Sequence, residues 1–134
     1  MQGSDRNHKY GFPLIEILLT VTLLAIAIIW IWPIVSRYVE MANQAADNAN
    51  ARIIYNAAAM WYAETNDSDP NLEASDLAKY LGADAFPIAR STAFAGTFSV
   101  SVAKDGTIVV RTSKPAYFNV AAGRILEQGE LATG

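Results

Sequence analysis

One apolar run limits what this chain can fold into. It extends from Ile17 to Val35 without a charged residue and directly follows Glu16. Because an α-helix rises about 1.5 Å per residue, this run covers most of the roughly 30 Å hydrocarbon core of a bilayer. The sequence therefore predicts a membrane-spanning helix. Glu16 is a candidate functional residue, since an ionisable side chain at the edge of a lipid-embedded segment is costly.

Composition excludes several classes of site. The length of 134 residues allows one domain beside the membrane segment. The net charge of −3, with scattered Lys and Arg, gives no strong indication of nucleic-acid binding. Because cysteine is absent, the chain cannot form a disulfide, a thiolate zinc site or an iron–sulfur cluster.

The polar residues 1–11 precede the apolar run, whereas a secretory signal peptide has its apolar core before the cleavage site. This order suits a peptidase that acts on the cytoplasmic side and leaves the apolar helix on the mature protein. Arg6 and Lys9 indicate a cytoplasmic N-terminus. Gly11 suits a cleavage position because it lacks a side chain. The alternative is that Gly11 only interrupts the chain before a signal-anchor helix.

Gly11 followed by Phe12, with Glu16 as the fifth residue counted from Phe12, resembles the processing motif of type IV pilins and type II secretion pseudopilins. Pro33 lies where this family usually carries a proline in its long N-terminal helix. The resemblance covers the leader and the helix to about Glu64. Pro13 departs from the small polar residue that usually follows the phenylalanine. The lack of cysteine departs from the many pilins that close a C-terminal loop with a disulfide.

The resemblance implies cleavage between Gly11 and Phe12 and N-methylation of Phe12. It also implies that Glu16 pairs with the methylated amine of a neighbouring subunit, which would set the axial register of a filament. A carboxylate in an apolar bundle must be paired or protonated, which agrees with this role. The alternative is that Glu16 is solvated at headgroup depth or pairs with its own N-terminus. Pro33 is expected to kink the helix.

The sequence predicts one helix from Pro13 to about Glu64, ended by residues 66–70. The aromatic residues Trp30, Trp32 and Tyr38 suit the membrane–water boundary at the far end of the span. An apolar stripe then continues at helical spacing and is expected to pack on the head, on neighbouring subunits, or on both. The stripe consists of Val39, Ala42, Ala46, Ala49, Ile53, Ala57 and Met60.

We therefore divide the chain into a cleaved leader (1–11), a membrane and filament-core half of the helix (12–39) and a head (40–134). The predicted fold class is α+β, in which the long, partly transmembrane helix packs on a small antiparallel sheet as in pilins. The head is expected to contain a helix from Leu72 to Leu81, with Ser75 as a cap and Gly82 as its stop. Residues 83–95 are interpreted as a loop anchored by Phe86 and Phe94.

The clearest element of the head is a β-hairpin from Thr97 to Thr112 around Lys104-Asp105-Gly106. A two-residue turn would place Val100 opposite Arg111, whereas a three-residue turn with a left-handed Gly106 places it opposite Val110. The second register gives one apolar face, so we choose it. A third strand at 116–120 and a fourth strand or a loose tail at 125–131 would complete the sheet.

No catalytic constellation is visible, and we expect neither enzymatic activity nor a cofactor or metal. His8 is the only histidine and lies in the leader. Asp67, Asp69, Glu73 and Asp76 could offer oxygen ligands to calcium, but their spacing matches no complete loop, so a solvated acidic surface is the preferred interpretation.

The resemblance implies a non-enzymatic filament subunit, anchored in the cytoplasmic membrane as a single-pass precursor and later displayed on the cell surface. The implied partners are further copies of the chain, a prepilin peptidase, an inner-membrane assembly platform with its ATPase, and membrane lipid before assembly. A major pilin, a minor pilin and a pseudopilin of secretion or competence DNA uptake remain alternatives. An anchored binding module that never polymerises is the alternative from another class.

Overall fold

The computed structural model describes the backbone of residues 2–114 and 116–127 and the side chains of 13–114 and 116–126. The chain divides into two compact units, Met1–Val39 and Glu40–Gly134. The second unit is called the head below. Each unit is described by itself.

Helix α1 extends from Gln2 to Thr65 and continues through Pro13 and Pro33. The expected start at Pro13 is wrong, and so is the alternative that Gly11 interrupts the chain, because the backbone is helical on both sides. A single glycine costs a helix only about 1 kcal/mol, which does not end it. The expected end is confirmed within one residue. Asn66 then adopts a left-handed conformation at φ 51°, and its N–H donates to the Tyr62 carbonyl at 2.7 Å.

The first unit contains a segment that is long and apolar enough to cross a membrane, with a mean hydropathy of 2.7 over its most apolar window. None of that window is buried by the rest of the chain. Thr20 and Thr22 interrupt the apolar composition, but each hydroxyl donates to a main-chain carbonyl one turn earlier at 2.7 Å. Such internal bonds let a threonine enter lipid at little cost.

In the described part of the head, α1 is followed by strands and one short helix, α2 (Ala78–Leu81). The strands are β1 (Asp69–Leu72), β2 (Ile88–Ala89), β3 (Gly96–Val102), β4 (Ile108–Thr112), β5 (Ala116–Asn119) and β6 (Arg124–Glu127). They form one antiparallel sheet in the order β1-β3-β4-β5-β6, with β2 beside the other end of β3. The predicted α+β arrangement is confirmed.

The hairpin register chosen from the sequence is confirmed. Val100 pairs with Val110 and Val102 with Ile108. These alternate residues of β3 and their partners form the inner face of the hairpin, and Gly106 is left-handed at φ 87°. The strand expected at 116–120 corresponds to β5. The one expected at 125–131 corresponds to β6 as far as Glu127, and its remainder lies outside the described residues.

The helix expected from Leu72 to Leu81 is wrong over its first half. Leu72 ends β1 and pairs with Val100, so strand formation takes precedence there. Asp76 then accepts the Glu73 N–H at 3.2 Å, which stabilises a turn instead of a helix. Ser75 is no cap, because Leu77 occupies that position, but Gly82 does end α2 at φ 70°. The expected loop at residues 83–95 is partly wrong, because β2 lies within it and pairs with β3, but Phe86 and Phe94 contact the core as expected.

The core joins one face of α1 to the inner face of the sheet. The buried apolar residues of the helix are Ala51, Ile54, Ala57 and Ala58. Their partners in the core include Leu72, Leu77, Phe98, Val100, Val102, Val110 and Ile125. Ala57 of the predicted stripe belongs to this core, but Ile53 and Met60 are 54% and 55% exposed, so the stripe as a whole is wrong as the head-packing face.

The hairpin turn rests on the side chain of Tyr62, whose hydroxyl donates to the Lys104 carbonyl at 3.4 Å. A Cβ atom on Gly106 would lie 2.9 Å from Tyr62 Cε1, whereas one on Gly82 would meet nothing within 4 Å. Both glycines have positive φ. We expect Gly82→Ala to destabilise the head by about 1 kcal/mol and Gly106→Ala by about 2–3 kcal/mol. Chemical unfolding of the detergent-solubilised chain measures both, and equal effects would contradict the Tyr62 contact.

Candidate functional site

Glu16 lies exposed on the surface of α1, in a shallow groove that it lines with Pro13, Ile17, Thr20 and Val21. The Thr20 hydroxyl binds the main-chain carbonyl of Glu16, not its carboxylate. Among the described residues, none forms a hydrogen bond or an ion pair with the Glu16 side chain. Its chemistry is that of one acidic group on an apolar surface, available to a single cationic partner from outside the described chain.

The surface around this carboxylate is apolar on every side of the helix. The large side chains between Leu14 and Val39 are all exposed, from 45% at Val35 to 75% at Trp30. A helix that is apolar all round is normally buried in protein or lipid. This segment therefore requires lipid or other protein chains to cover it.

The other predicted site residues lie on the same helix. Gly11 and Phe12 belong to its helical backbone, and the side chain of Phe12 lies outside the described set. Pro33 also lies within the helix. Since proline has no N–H, the carbonyl of Ile29 loses its usual helical donor there. Nearby, the Ser36 hydroxyl donates to the Trp32 carbonyl at 2.9 Å. The kink at Pro33 stays a prediction.

A second polar site, which the sequence analysis did not identify, holds the loop at residues 90–92 against α1. The Asp47 side chain is fully buried, and its two carboxylate oxygens accept the N–H groups of Arg90 at 3.0 Å and Ser91 at 2.8 Å. Glu40 accepts the Ser91 hydroxyl at 2.7 Å and the Thr92 N–H at 3.1 Å. Two helix carboxylates thus hold successive main-chain donors of one loop.

Further contacts extend this attachment. The Lys114 ammonium donates to the Thr92 carbonyl at 2.5 Å, which ties the end of β4 to the same loop. Asn48 accepts the Ile125 N–H at 2.7 Å, which ties β6 to the helix. A sequence clue existed: Glu40 and Asp47 lie seven residues apart and continue in register to Ile54, so they share the face that carries the core.

The pKa of the Glu40 carboxyl is lowered from its ordinary 4.5. The Ser91 hydroxyl bond is the largest cause, the Thr92 amide adds to it, and partial burial opposes both. Hydrogen bonds to the charged form favour ionisation.

This shift predicts a pH dependence. Because the folded-state pKa is lowered, the stability that Glu40 contributes is fully present above its unfolded pKa and is lost as the pH falls through the folded value. We expect wild type to be more stable than Glu40→Gln at neutral pH, and the difference to shrink as the pH falls below about 4.5 and to disappear below the folded-state pKa. The free energy of unfolding of both chains, measured across pH, gives this difference. A difference that does not change with pH would contradict the role of ionised Glu40.

The acidic residues near the end of α1 act locally. Asp67 accepts the Ser68 N–H and Asp69 accepts the Asn71 N–H, both at 2.8 Å. Asp76 binds Glu73, as described above. Within the described residues, no group of three or more His, Cys, Asp or Glu side chains is arranged to hold a metal ion.

Comparisons with protein-family models, with curated proteins and with solved structures found no match to this chain.

Proposed function

We propose that the chain is a structural subunit of a type IV pilus filament, cleaved after Gly11, N-methylated at Phe12 and polymerised through its apolar helix. One observation carries the proposal. The apolar segment is exposed on all sides and bears one carboxylate, Glu16, which has no partner among the described residues and lies shortly after the Gly11-Phe12 motif. A plain membrane anchor needs the apolar surface but has no use for the carboxylate.

Lipid covers this surface while the subunit is a monomer, and neighbouring helices cover it in the filament. Lipid leaves the carboxylate without a cation, whereas a neighbouring subunit supplies the amine that cleavage creates at Phe12. A carboxylate in an apolar environment is stabilised only when paired, so this pairing favours one axial register. Association is driven by apolar packing, and Glu16 fixes its geometry.

The position of Pro13 supports the same scheme. In the precursor it lies inside α1, where proline removes one helical hydrogen bond. After cleavage it becomes the second residue of the chain, within the first helical turn, where its missing N–H costs nothing. Processing thus converts an unfavourable proline into a favourable one.

The proposed function requires several partners. A prepilin peptidase removes the leader at the cytoplasmic side, and an inner-membrane platform driven by an ATPase extracts the subunit from lipid and adds it to the filament. The subunit then moves from the cytoplasmic membrane to the cell surface. A minor pilin or a pseudopilin would undergo the same steps, but it would be scarce or would not reach the cell surface. An anchored binding module needs none of them.

Blocking the cleavage site tests the proposal. We expect Gly11→Leu to accumulate in the membrane as the uncleaved precursor, because a side chain at this position hinders approach of the peptidase. Gly3→Leu, a matched change within the leader, should be processed normally. Immunoblots of membrane and sheared-surface fractions measure both, and surface filaments formed by Gly11→Leu would contradict the proposal.

A further inference from the structure

The segment Asn66-Asp67-Ser68 directly follows α1 and has the form Asn-x-Ser, the acceptor motif for N-linked glycosylation. No other asparagine of the sequence is followed two residues later by serine or threonine. The motif is short, so its structural setting decides its meaning. An acceptor must lie on a surface loop of a chain that leaves the cytoplasm.

The structure provides that setting. Residues 66–68 belong to neither a helix nor a strand, and Asn66 and Asp67 are exposed. Neither the Asn66 amide nor the Ser68 hydroxyl is bonded to any described residue. The local side-chain bond runs instead from the Ser68 N–H to the Asp67 carboxylate. The two groups that a transferase must engage are therefore free.

Local opening of this loop, which would let Asn66 enter the active site of a transferase, costs little free energy. The main-chain bond from Asn66 N–H to the Tyr62 carbonyl closes the last turn of α1, and helix ends open locally at low free energy. Because Asn66 is exposed, a bulky group attached to it does not have to displace any residue of the core.

We propose that Asn66 is a glycosylation site, modified by a lipid-linked oligosaccharide. The Asn66 Nδ2 atom attacks the anomeric carbon of the first sugar and forms a carbon–nitrogen bond. The bond between that carbon and the phosphate oxygen of the lipid carrier breaks, and the carrier phosphate leaves with the electron pair. The displaced amide proton passes to a base of the transferase. The proposal rests on the membrane topology of the proposed function, which places the head outside the cytoplasm.

Intact mass and peptide mapping of the full chain from its own cells test the site. We expect a mass excess of whole sugar units on wild type, complete loss of it in Asn66→Gln and Ser68→Ala, and its retention in Ser68→Thr. Asn71→Gln, a matched change at a nearby exposed asparagine outside the motif, should keep the sugar. A wild-type chain of bare polypeptide mass, or a sugar that persists in Asn66→Gln, would overturn the proposal.

A topology control separates this proposal from the function on which it rests. Because the chain has no cysteine, Asn71→Cys introduces a single thiol into the head. A membrane-impermeant maleimide should label this variant in cells with an intact cytoplasmic membrane. Labelling together with a bare wild-type mass would overturn the glycosylation site and leave the topology standing. Labelling only after lysis would overturn both.

Discussion

Asp47→Ala should lower the free energy of unfolding of the head by roughly 2–4 kcal/mol. The substitution removes the acceptor of two main-chain N–H groups, those of Arg90 and Ser91, inside the attachment between α1 and the sheet. Each buried donor left unpaired costs about 1–3 kcal/mol. The methyl group of alanine also leaves a gap beside Ser91, itself fully buried.

Chemical unfolding of the detergent-solubilised chain, followed by near-ultraviolet circular dichroism, measures this loss. Asp84→Ala is the matched control, because Asp84 is exposed and makes no hydrogen bond with the described residues. Its effect should stay within about 0.5 kcal/mol. Asp47→Asn should fall between the two, since an amide keeps one acceptor oxygen. An Asp47→Ala chain as stable as the control would contradict the attachment.

Glu16→Ala should reduce the amount of sheared surface filament at least about 100-fold. In the proposed filament, loss of the carboxylate leaves the charged Phe12 amine of the neighbouring subunit unpaired among apolar side chains. Breaking a buried ion pair by removing one partner costs about 3–5 kcal/mol, and each 1.4 kcal/mol corresponds to a tenfold change in an equilibrium constant. The exposed apolar surface is unchanged, so membrane insertion should remain normal.

Quantitative blots of sheared and membrane fractions measure the effect. Glu16→Gln separates charge from size, and it should fail nearly as badly because an amide cannot neutralise the amine. Glu73→Ala removes an exposed acid of the head and should assemble like wild type. Normal filament yield from Glu16→Ala would favour an anchored module that does not polymerise.

The elements that the sequence predicted well are those in which one local pattern excludes its alternatives. The hairpin is an example: only the three-residue turn with a left-handed Gly106 brings Val100 and Val110 to one face. The end of α1 near Thr65 follows similarly from the polar residues and Pro70 that come after it. In both, local turn chemistry agrees with the hydrophobic pattern of the element beside it.

The buried face of α1 shows where that reasoning fails. Alanine is frequent on every side of the helix between Glu40 and Met60, so apolar spacing alone allowed several stripes. The predicted stripe includes Ile53 and Met60, yet the sheet packs on the face of Asp47 and Ile54. Apolar spacing does not mark Asp47 as part of the buried face, and its hydrogen-bond partners are main-chain groups more than forty residues away. Such a pairing has no local pattern.

The residues of the candidate assembly site could be identified from the sequence, but their contacts could not. Gly11, Phe12 and Glu16 are contiguous enough to be identified from the sequence, and the structure adds that the apolar surface around Glu16 is uncovered. The pairing partner proposed for Glu16 belongs to another copy of the chain. No pattern within one chain specifies the geometry of that contact.

The proposed function requires that this chain is processed after Gly11 and assembled into filaments. Intact mass with N-terminal sequencing, applied to sheared-surface and membrane fractions of its own cells, tests it most directly. We expect a chain that begins at N-methylated Phe12 and is abundant in the sheared fraction. A chain that still begins at Met1, in cells that process other subunits of this kind, would contradict it.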